Sequence, residues 1–391
     1  MFQRLLRPIL GRSFFLFGAR GTGKTTWIES EYRQPADRYL NLLDDETERR
    51  YSRKPGLLDS ELTALKAAGR LPRSVIIDEV QKIPKLLDVA QKWIHREKLP
   101  FVFTGSSSRK LKRGFANLLG GRANNYVLHP LTSLELGGQF DLQRTLEWGT
   151  LPECWLLNDD REKKGFLRSY CGTYLKEEIL VEQLVRKLPP FRDFLEILAQ
   201  HNGKLLNFES LGKDVGVDHK TIVAYLGILE DTYLGTLVRP HHPSLRKSQL
   251  QQPRFYFFDQ GVKRQLDGTL GVPLVPSTGA YGEAFESWLI NETIRLCHYF
   301  ELDYRFSFYR SKGGAEIDFI LSRAKKRVFI EFKSTQEIDV AEAKEFSRLT
   351  DGLGAEKKSF YVSRDPNPAR ILDVSCVSYS DFLRQLSTGK I

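Results

Sequence analysis

The segment GARGTGKT, residues 18–25, constrains this chain more than any other. It satisfies G-x-x-x-x-G-K-[ST], a match that average residue usage produces by chance roughly once in a hundred chains of this length. Its flanks fit as well. Before it, SFFLF is an apolar run suited to a buried strand, and after it TTWIESEY reads as a helix. A strand, a glycine-rich turn and a helix in that order aim successive backbone N–H groups at one point, where the helix dipole also favours negative charge. Phosphate oxygens suit such a point. Gly18, Ala19, Arg20, Gly21, Thr22, Gly23, Lys24, Thr25 and Thr26 would form the cradle, with Lys24 on the terminal phosphates and Thr25 reaching Mg2+.

Further apolar runs, RYLNLL, SVIIDE and PFVFTG, alternate with amphipathic stretches such as KLLDVAQKWIH, where Leu86, Leu87, Ala90 and Ile94 recur at helical spacing. This is the pattern of a parallel sheet flanked by helices. SVIIDE ends in two carboxylates, of which Asp78 would hold the Mg2+ shell and Glu79 would orient or deprotonate an attacking water. PFVFTGSS ends in Thr104, Ser106 and Ser107, hydroxyls able to sense a terminal phosphate. In LLGGRAN, Arg122 could stabilise charge on a transferred phosphoryl group or be a plain solvent-exposed arginine. SRKLKR (108–113) could contact nucleic acid or form a solvated helix face. PLTSLEL and the Gly137–Gly138 pair mark the close of this part.

At 391 residues the chain exceeds one ordinary core, so two or three domains are expected. With 41% hydrophobic and 28% charged residues it reads as globular, and no stretch approaches the roughly 20 apolar residues needed to span a bilayer. A cytoplasmic protein without a membrane partner is the expectation. The four cysteines lack metal or disulfide spacing and are expected to be reduced and buried. Net charge is +10. Residues 1–150 hold 25 Lys+Arg against 16 Asp+Glu, and 281–391 hold 17 of each. An acidic partner such as DNA is therefore plausible, but the excess does not point at the C-terminal part.

Residues 191–268 read as helix, short helix, turn, helix and then two strands. The turn VGVDHKT resembles a helix-turn-helix, with Asp218 as N-cap. A winged helix fits this order, and so does a helical lid with a hairpin. After the turn-rich PLVPST (273–278) come a long helix, GEAFESWLINETIRLCHYF, and the hairpin AEIDFILSRAKKRVFIEFKST. Strand alternation places Glu316 and Asp318 on one face, Ile317, Phe319 and Leu321 on the other, and Glu331 with Lys333 on a shared face.

In order, GARGTGKTT, VIIDEVQKIP, FVFTGSSSRKL, LLGGRA, PLTSLEL, YLKEEI, TIVAYLGILEDTYL and RFYFFDQGV resemble the AAA-type ATPases of bacteria and archaea that carry an uncharacterised C-terminal domain. The resemblance covers nearly the whole chain. It implies an α/β architecture: an AAA-type P-loop NTPase domain (1–150), a helical connector and winged helix (151–272), and a PD-(D/E)xK, restriction-endonuclease-like domain (273–391). It implies ATP and Mg2+ as ligands, with Lys24, Glu79 and Arg122 in hydrolysis, and a homo-oligomer if Arg122 acts in trans. Asp318, Glu331 and Lys333 match the nuclease motif, with Asp318, Glu331 and Glu286 as metal ligands and Glu283 as a weaker candidate. Two readings result: an ATPase whose nucleotide state controls a DNA-binding, nuclease-like region, or a nucleotide-switched DNA- or protein-binding module in which the nuclease-like domain is inactive.

Overall fold

The computed structural model describes residues 2–107, 119–174, 188–242, 248, 251–311, 313–353 and 356–391. SRKLKR (108–113) and all but the first residue of YLKEEI (174–179) lie outside the described residues. The chain divides into two compact units, Met1–Leu131 with Asp231–Leu234, and Thr132–Glu230 with Gly235–Ile391.

In the first unit, strands β1 (Ser13–Phe17), β2 (Arg38–Asn41), β3 (Val75–Asp78), β4 (Phe101–Gly105) and β5 (Ala123–Val127) form a wholly parallel sheet ordered β2-β3-β4-β1-β5. Both faces carry packed residues, which explains why SFFLF, VIID and FVFTG are buried throughout instead of alternating. One face gathers Phe15, Phe17, Ile77, Phe101 and Phe103 against Leu58, Leu62, Leu86 and Ala90 of the helices Leu57–Ala67 and Leu86–Glu97. β5, at the sheet edge, is the more exposed strand, and its sequence ANNYV is correspondingly polar.

The second unit begins at Thr132, where the Thr132 hydroxyl and the Glu135 carboxylate cap the helix Ser133–Leu136 reciprocally. Residues 132–150, expected within the first domain, pack into the second unit: the Ser133 N–H and hydroxyl donate to Glu292, and Arg264 donates to the carbonyl of Glu147 at 3.0 Å. The helices Leu188–Gln200, Phe208–Val215 and His219–Asp231 come next. Asn207 caps the second, and Asp218 receives the Thr221 N–H at 2.7 Å to open the third. Gly212 permits the turn between them, since a Cβ there would stand 2.7 Å from the carbonyl of Val217.

Strands β6 (Gly235–Pro240) and β7 (Arg254–Phe257) pair antiparallel. The expected boundary at 272/273 falls inside this unit, because β6 also pairs with β8 (Arg305–Arg310). An eight-stranded mixed sheet results, ordered β12-β13-β11-β10-β9-β8-β6-β7, with β9 Glu316–Arg323, β10 Lys326–Phe332, β11 Glu356–Ser363, β12 Ala369–Ile371 and β13 Val374–Ser378. PLVPST is loop, as expected, and leads into the helix Gly279–Tyr299.

The hairpin departs from strict alternation. Ile317 and Ile320 join one apolar cluster with Ala343, Phe346 and Tyr361, whereas Phe319 stacks on Phe306. The expectation that Ile317, Phe319 and Leu321 share a face is therefore corrected. Its cause is a register shift against β8 between Ser307 and Tyr309, which inserts one extra residue of β9 beside Asp318 and reverses the phase beyond it.

Candidate active sites

β1, β3 and β4 run parallel, so their C-terminal ends meet at one sheet edge, and the glycine-rich loop, Asp78 and Ser106 come together there. Gly18 begins the loop at φ 149, and a Cβ would lie 2.3 Å from the carbonyl of Leu128, so no larger residue fits. Lys24, 6% exposed, donates to the carbonyls of Gly18 (2.9 Å) and Ala19 (3.1 Å). Its ammonium thus lies inside the curve of the loop. Arg4 braces the same loop, with Nη1 donating to the Thr22 carbonyl at 2.8 Å and Nη2 to that of His129 at 2.5 Å.

Asp78 is fully buried and accepts three hydroxyls: Thr25 and Tyr39 on Oδ2, each at 2.9 Å, and Thr104 on Oδ1. Burial and the adjacent Asp78 charge hold the Tyr39 phenol well above its ordinary range, so it serves as a donor. The Glu79 N–H donates to Thr104 Oγ1 at 2.9 Å, which fixes the backbone where Glu79 adopts φ 59. The Thr25 hydroxyl and Asp78 carboxylate, held together, are hard oxygen donors of the kind Mg2+ takes. Arg20 is half-buried in the loop and Thr26 is exposed on the helix Lys24–Trp27.

Arg122 lies elsewhere. It is exposed and directly precedes β5, whose Ala123 is level with Ser13 at the start of β1, whereas the loop leaves the other end of β1. Five residues at ~3.3 Å separate the two along the strands, roughly 16 Å.

In the second unit, β7, β8, β9 and the helix Gly279–Tyr299 surround a cavity of about 300 Å3 lined by Lys204, Arg254, Tyr256, Glu286, Glu316 and Asp318, among others. Asp318 Oδ2 accepts the Phe332 N–H at 2.8 Å, which ties β9 to β10. Glu331 Oε1 pairs with Lys333 Nζ at 3.1 Å, and its buried Oε2 has no hydrogen-bond partner. Glu286 Oε1 lies 3.4 Å from the Tyr256 hydroxyl and 3.8 Å from Arg254, which also pairs with Glu316. Glu283 is more exposed and lies 3.7 Å from Lys204. Burial, and then repulsion from Asp318, pushes the carboxyls of both Glu286 and Glu331 up to about 8; burial raises Asp318 too. Among the described residues no three His, Cys, Asp or Glu side chains are gathered closely enough to hold a metal ion. Carboxylate oxygens, one of them orphaned, are nevertheless the donor set that Mg2+ prefers.

A carboxyl raised in the fold weakens it as pH rises. Below about pH 4 Glu331 is neutral folded and unfolded; between about pH 4.3 and 8 the unfolded chain ionises first, and above 8 the whole cost is present. Glu331→Gln is therefore expected to stabilise the second unit, by at most about 5 kcal/mol at pH 8 less what the lost Lys333 ion pair contributes, and progressively less toward pH 4.5. Urea melts across that range check it; a pH-independent difference would refute the raised Glu331 carboxyl.

The sequence reading passes over Arg4, Tyr39 and Gln81 at the first site, and Arg254 and Tyr256 at the second; it places Glu316 on the face of Asp318 without giving it a role. Gln81, two residues after Glu79, had a local signal. Arg254 had none, since it arrives from β7, more than sixty positions before Asp318. The cysteines carry no site: all four are free, and burial raises their thiols to about 11 for Cys376 and about 12 for the others. Among the described residues no helix is long and apolar enough to cross a membrane.

Residues 11–137 match the family model described as AAA domain, in agreement with the P-loop geometry described above. Residues 139–272 and 281–381 match two domains of unknown function, DUF8612 and DUF4143. Uncharacterized proteins of Mycobacterium tuberculosis and Mycobacterium bovis are each 25% identical over 268 residues, 67% of this chain and 58% of theirs. The chain thus spans less than two thirds of the length of these curated relatives. The ADP form of the ORC2 protein of Aeropyrum pernix is similar at 13% identity and a TM-score of 0.34, over 66% of this chain and 88% of that one.

Proposed function

We propose that the chain binds ATP with Mg2+ at the 18–25 loop and hydrolyses it to ADP and phosphate. The observation that carries this reading is the joining of Thr25 to Asp78 at 2.9 Å beside a buried Lys24, with Glu79 on the next residue. The loop N–H groups bind the phosphate oxygens, and Lys24 exchanges its carbonyl partners for them. Thr25 and Asp78 would hold Mg2+, which when bound neutralises phosphate charge. Glu79 accepts a proton from the water whose oxygen attacks the γ-phosphorus; the bond to the β–γ bridging oxygen breaks and its electron pair leaves with ADP. Arg122 can contribute only from a second copy of the chain, given its distance from its own loop.

Glu79→Gln tests the assignment. It is expected to retain nucleotide affinity within about threefold while turnover falls about 10²-fold or more. Equal turnover in the two proteins would remove Glu79 from the mechanism.

The orphaned Glu331 oxygen and the repulsion among Glu286, Asp318 and Glu331 favour a second centre acting on phosphodiesters. Asp318 and Glu331 would hold Mg2+ as a carboxylate pair completed by water, the charge of the ion relieving their repulsion, and Lys333 would stand by the attacking water. The helices Phe208–Val215 and His219–Asp231 with the β6–β7 ribbon are read as a winged helix offering a DNA contact, and nucleotide state in the first unit as the control. Mg2+-dependent cutting of single-stranded, duplex or branched DNA that falls about 10²-fold or more in Lys333→Ala is the expected result. If wild type and variant are equally inert, the rival reading stands: a nucleotide-switched module that binds DNA or protein without cutting.

A further inference from the structure

Glu79 does not stand alone at the end of β3. Its left-handed backbone turns the chain into the short helical turn Val80–Lys82, which brings the Gln81 side chain back toward β4. Gln81 is 6% exposed. Its Nε2 donates to Glu79 Oε2 and, at 3.3 Å, to Ser106 Oγ. The reversed amide would set Oε1 against the Glu79 carboxylate, so the donor contacts settle its orientation. Oε1 is buried without a hydrogen-bond partner and packs over Gly105, where a Cβ would stand 2.8 Å from it. A buried acceptor left unpaired is costly, and the arrangement persists because both N–H groups are used and the glycine leaves room.

We propose that Gln81 is a positioning residue for the hydrolytic glutamate: its carboxamide ties Glu79 to the hydroxyl at the end of β4 and so sets where the base stands when the terminal phosphate arrives. The inference rests on the hydrolysis proposed above. A primary amide suits the task because it is uncharged and offers two N–H groups about 120° apart. An acid at this position would repel Glu79 when ionised, and alanine would leave Glu79 free to rotate. Base and sensing hydroxyl thereby move as one unit, so contact of the terminal phosphate with Ser106 reaches Glu79 through Gln81.

The test measures kcat, KM, affinity for a non-hydrolysable ATP analogue and thermal melting in wild type, Gln81→Ala, Gln81→Glu and Gly105→Ala. Gln81→Ala is expected to lower kcat about 10–100-fold, as misplacement of a reacting group by about 1 Å does, with KM, analogue affinity and melting nearly unchanged. Gly105→Ala, whose methyl displaces the amide while Gln81 remains, should reproduce that split. Gln81→Glu should lose more at pH 8 than at pH 6, recovering as the new carboxyl protonates and can donate again; wild type should show no such recovery. Active wild type with an unchanged kcat in both Gln81→Ala and Gly105→Ala overturns the inference, as does a loss of analogue affinity equal to the loss of kcat. Absence of turnover in wild type would instead overturn the hydrolysis on which it rests.

Discussion

Lys24→Ala is expected to lower ATP turnover by about 10²–10³-fold and to weaken ATP binding in the same variant. The magnitude comes from the role of the ammonium: it is a single preorganised donor in a site shielded from water, where such groups are worth far more than at a surface. Lys24 is already buried and already held by the carbonyls of Gly18 and Ala19, so binding phosphate requires a change of partner and little reorganisation. Lys24→Arg should not restore activity, because the planar guanidinium cannot replace a compact point charge inside that curve. Steady-state phosphate release and titration with a fluorescent nucleotide check both statements. Turnover at the wild-type rate in Lys24→Ala would remove the loop from the chemistry.

The largest effect on stability is expected for Arg295→Met. Arg295 Nη1 lies 3.5 Å from Glu292 Oε2 and donates to the Thr150 hydroxyl at 3.2 Å, and Nη2 donates to the Phe258 carbonyl at 2.5 Å. Glu292 is wholly buried and also accepts the Ser133 hydroxyl at 2.7 Å. Asp259, equally buried, accepts the N–H groups of Thr150 at 2.7 Å and Val262 at 3.1 Å. Removing the cation strands the Glu292 carboxylate in an apolar interior and takes a neighbouring positive charge from Asp259, and breaking such a buried pair costs about 3–5 kcal/mol. Burial already raises both carboxyls, so part of the loss should return as pH falls and Glu292 protonates. Urea unfolding of the second unit at pH 8 and pH 5.5 reads both; a loss under about 1 kcal/mol would show that the network is not coupled.

The first site was legible because its residues are close in sequence or end strands that sequence alone reveals. A parallel sheet buried on both faces leaves continuous apolar runs, and the residues just after each run stand at the same edge, so the residue pattern alone groups GARGTGKT, Asp78, Glu79 and Ser106. Arg122 obeyed no such rule. Nearness to β5 in sequence says nothing of which end of the strand a residue occupies relative to the loop, and the register of β5 on β1 places it at the far end.

The second site was legible only as a set of residue types. Asp318, Glu331 and Lys333 are named by the pattern of two adjacent strands, yet the slip beside Asp318 that sets its direction depends on pairing with β8, and strand pairing is a property of two segments at once. Arg254 and Tyr256 reach the same cavity because β6 pairs with β8 and carries β7 with it, a long-range contact without a local signal. The unit boundary behaves likewise: residues 132–150 read as the tail of the first domain, but buried hydrogen bonds to Glu292 and Arg264 assign them to the second unit. Sequence by itself determined the phosphate loop, the carboxylates and hydroxyls that end its neighbouring strands, and the acid–lysine pattern of the hairpin, since each is encoded within a strand and its adjoining turn. Tertiary structure alone decided which cations meet those carboxylates, where Arg122 lies and what Gln81 holds, because those depend on side chains brought together from elements that share no local code.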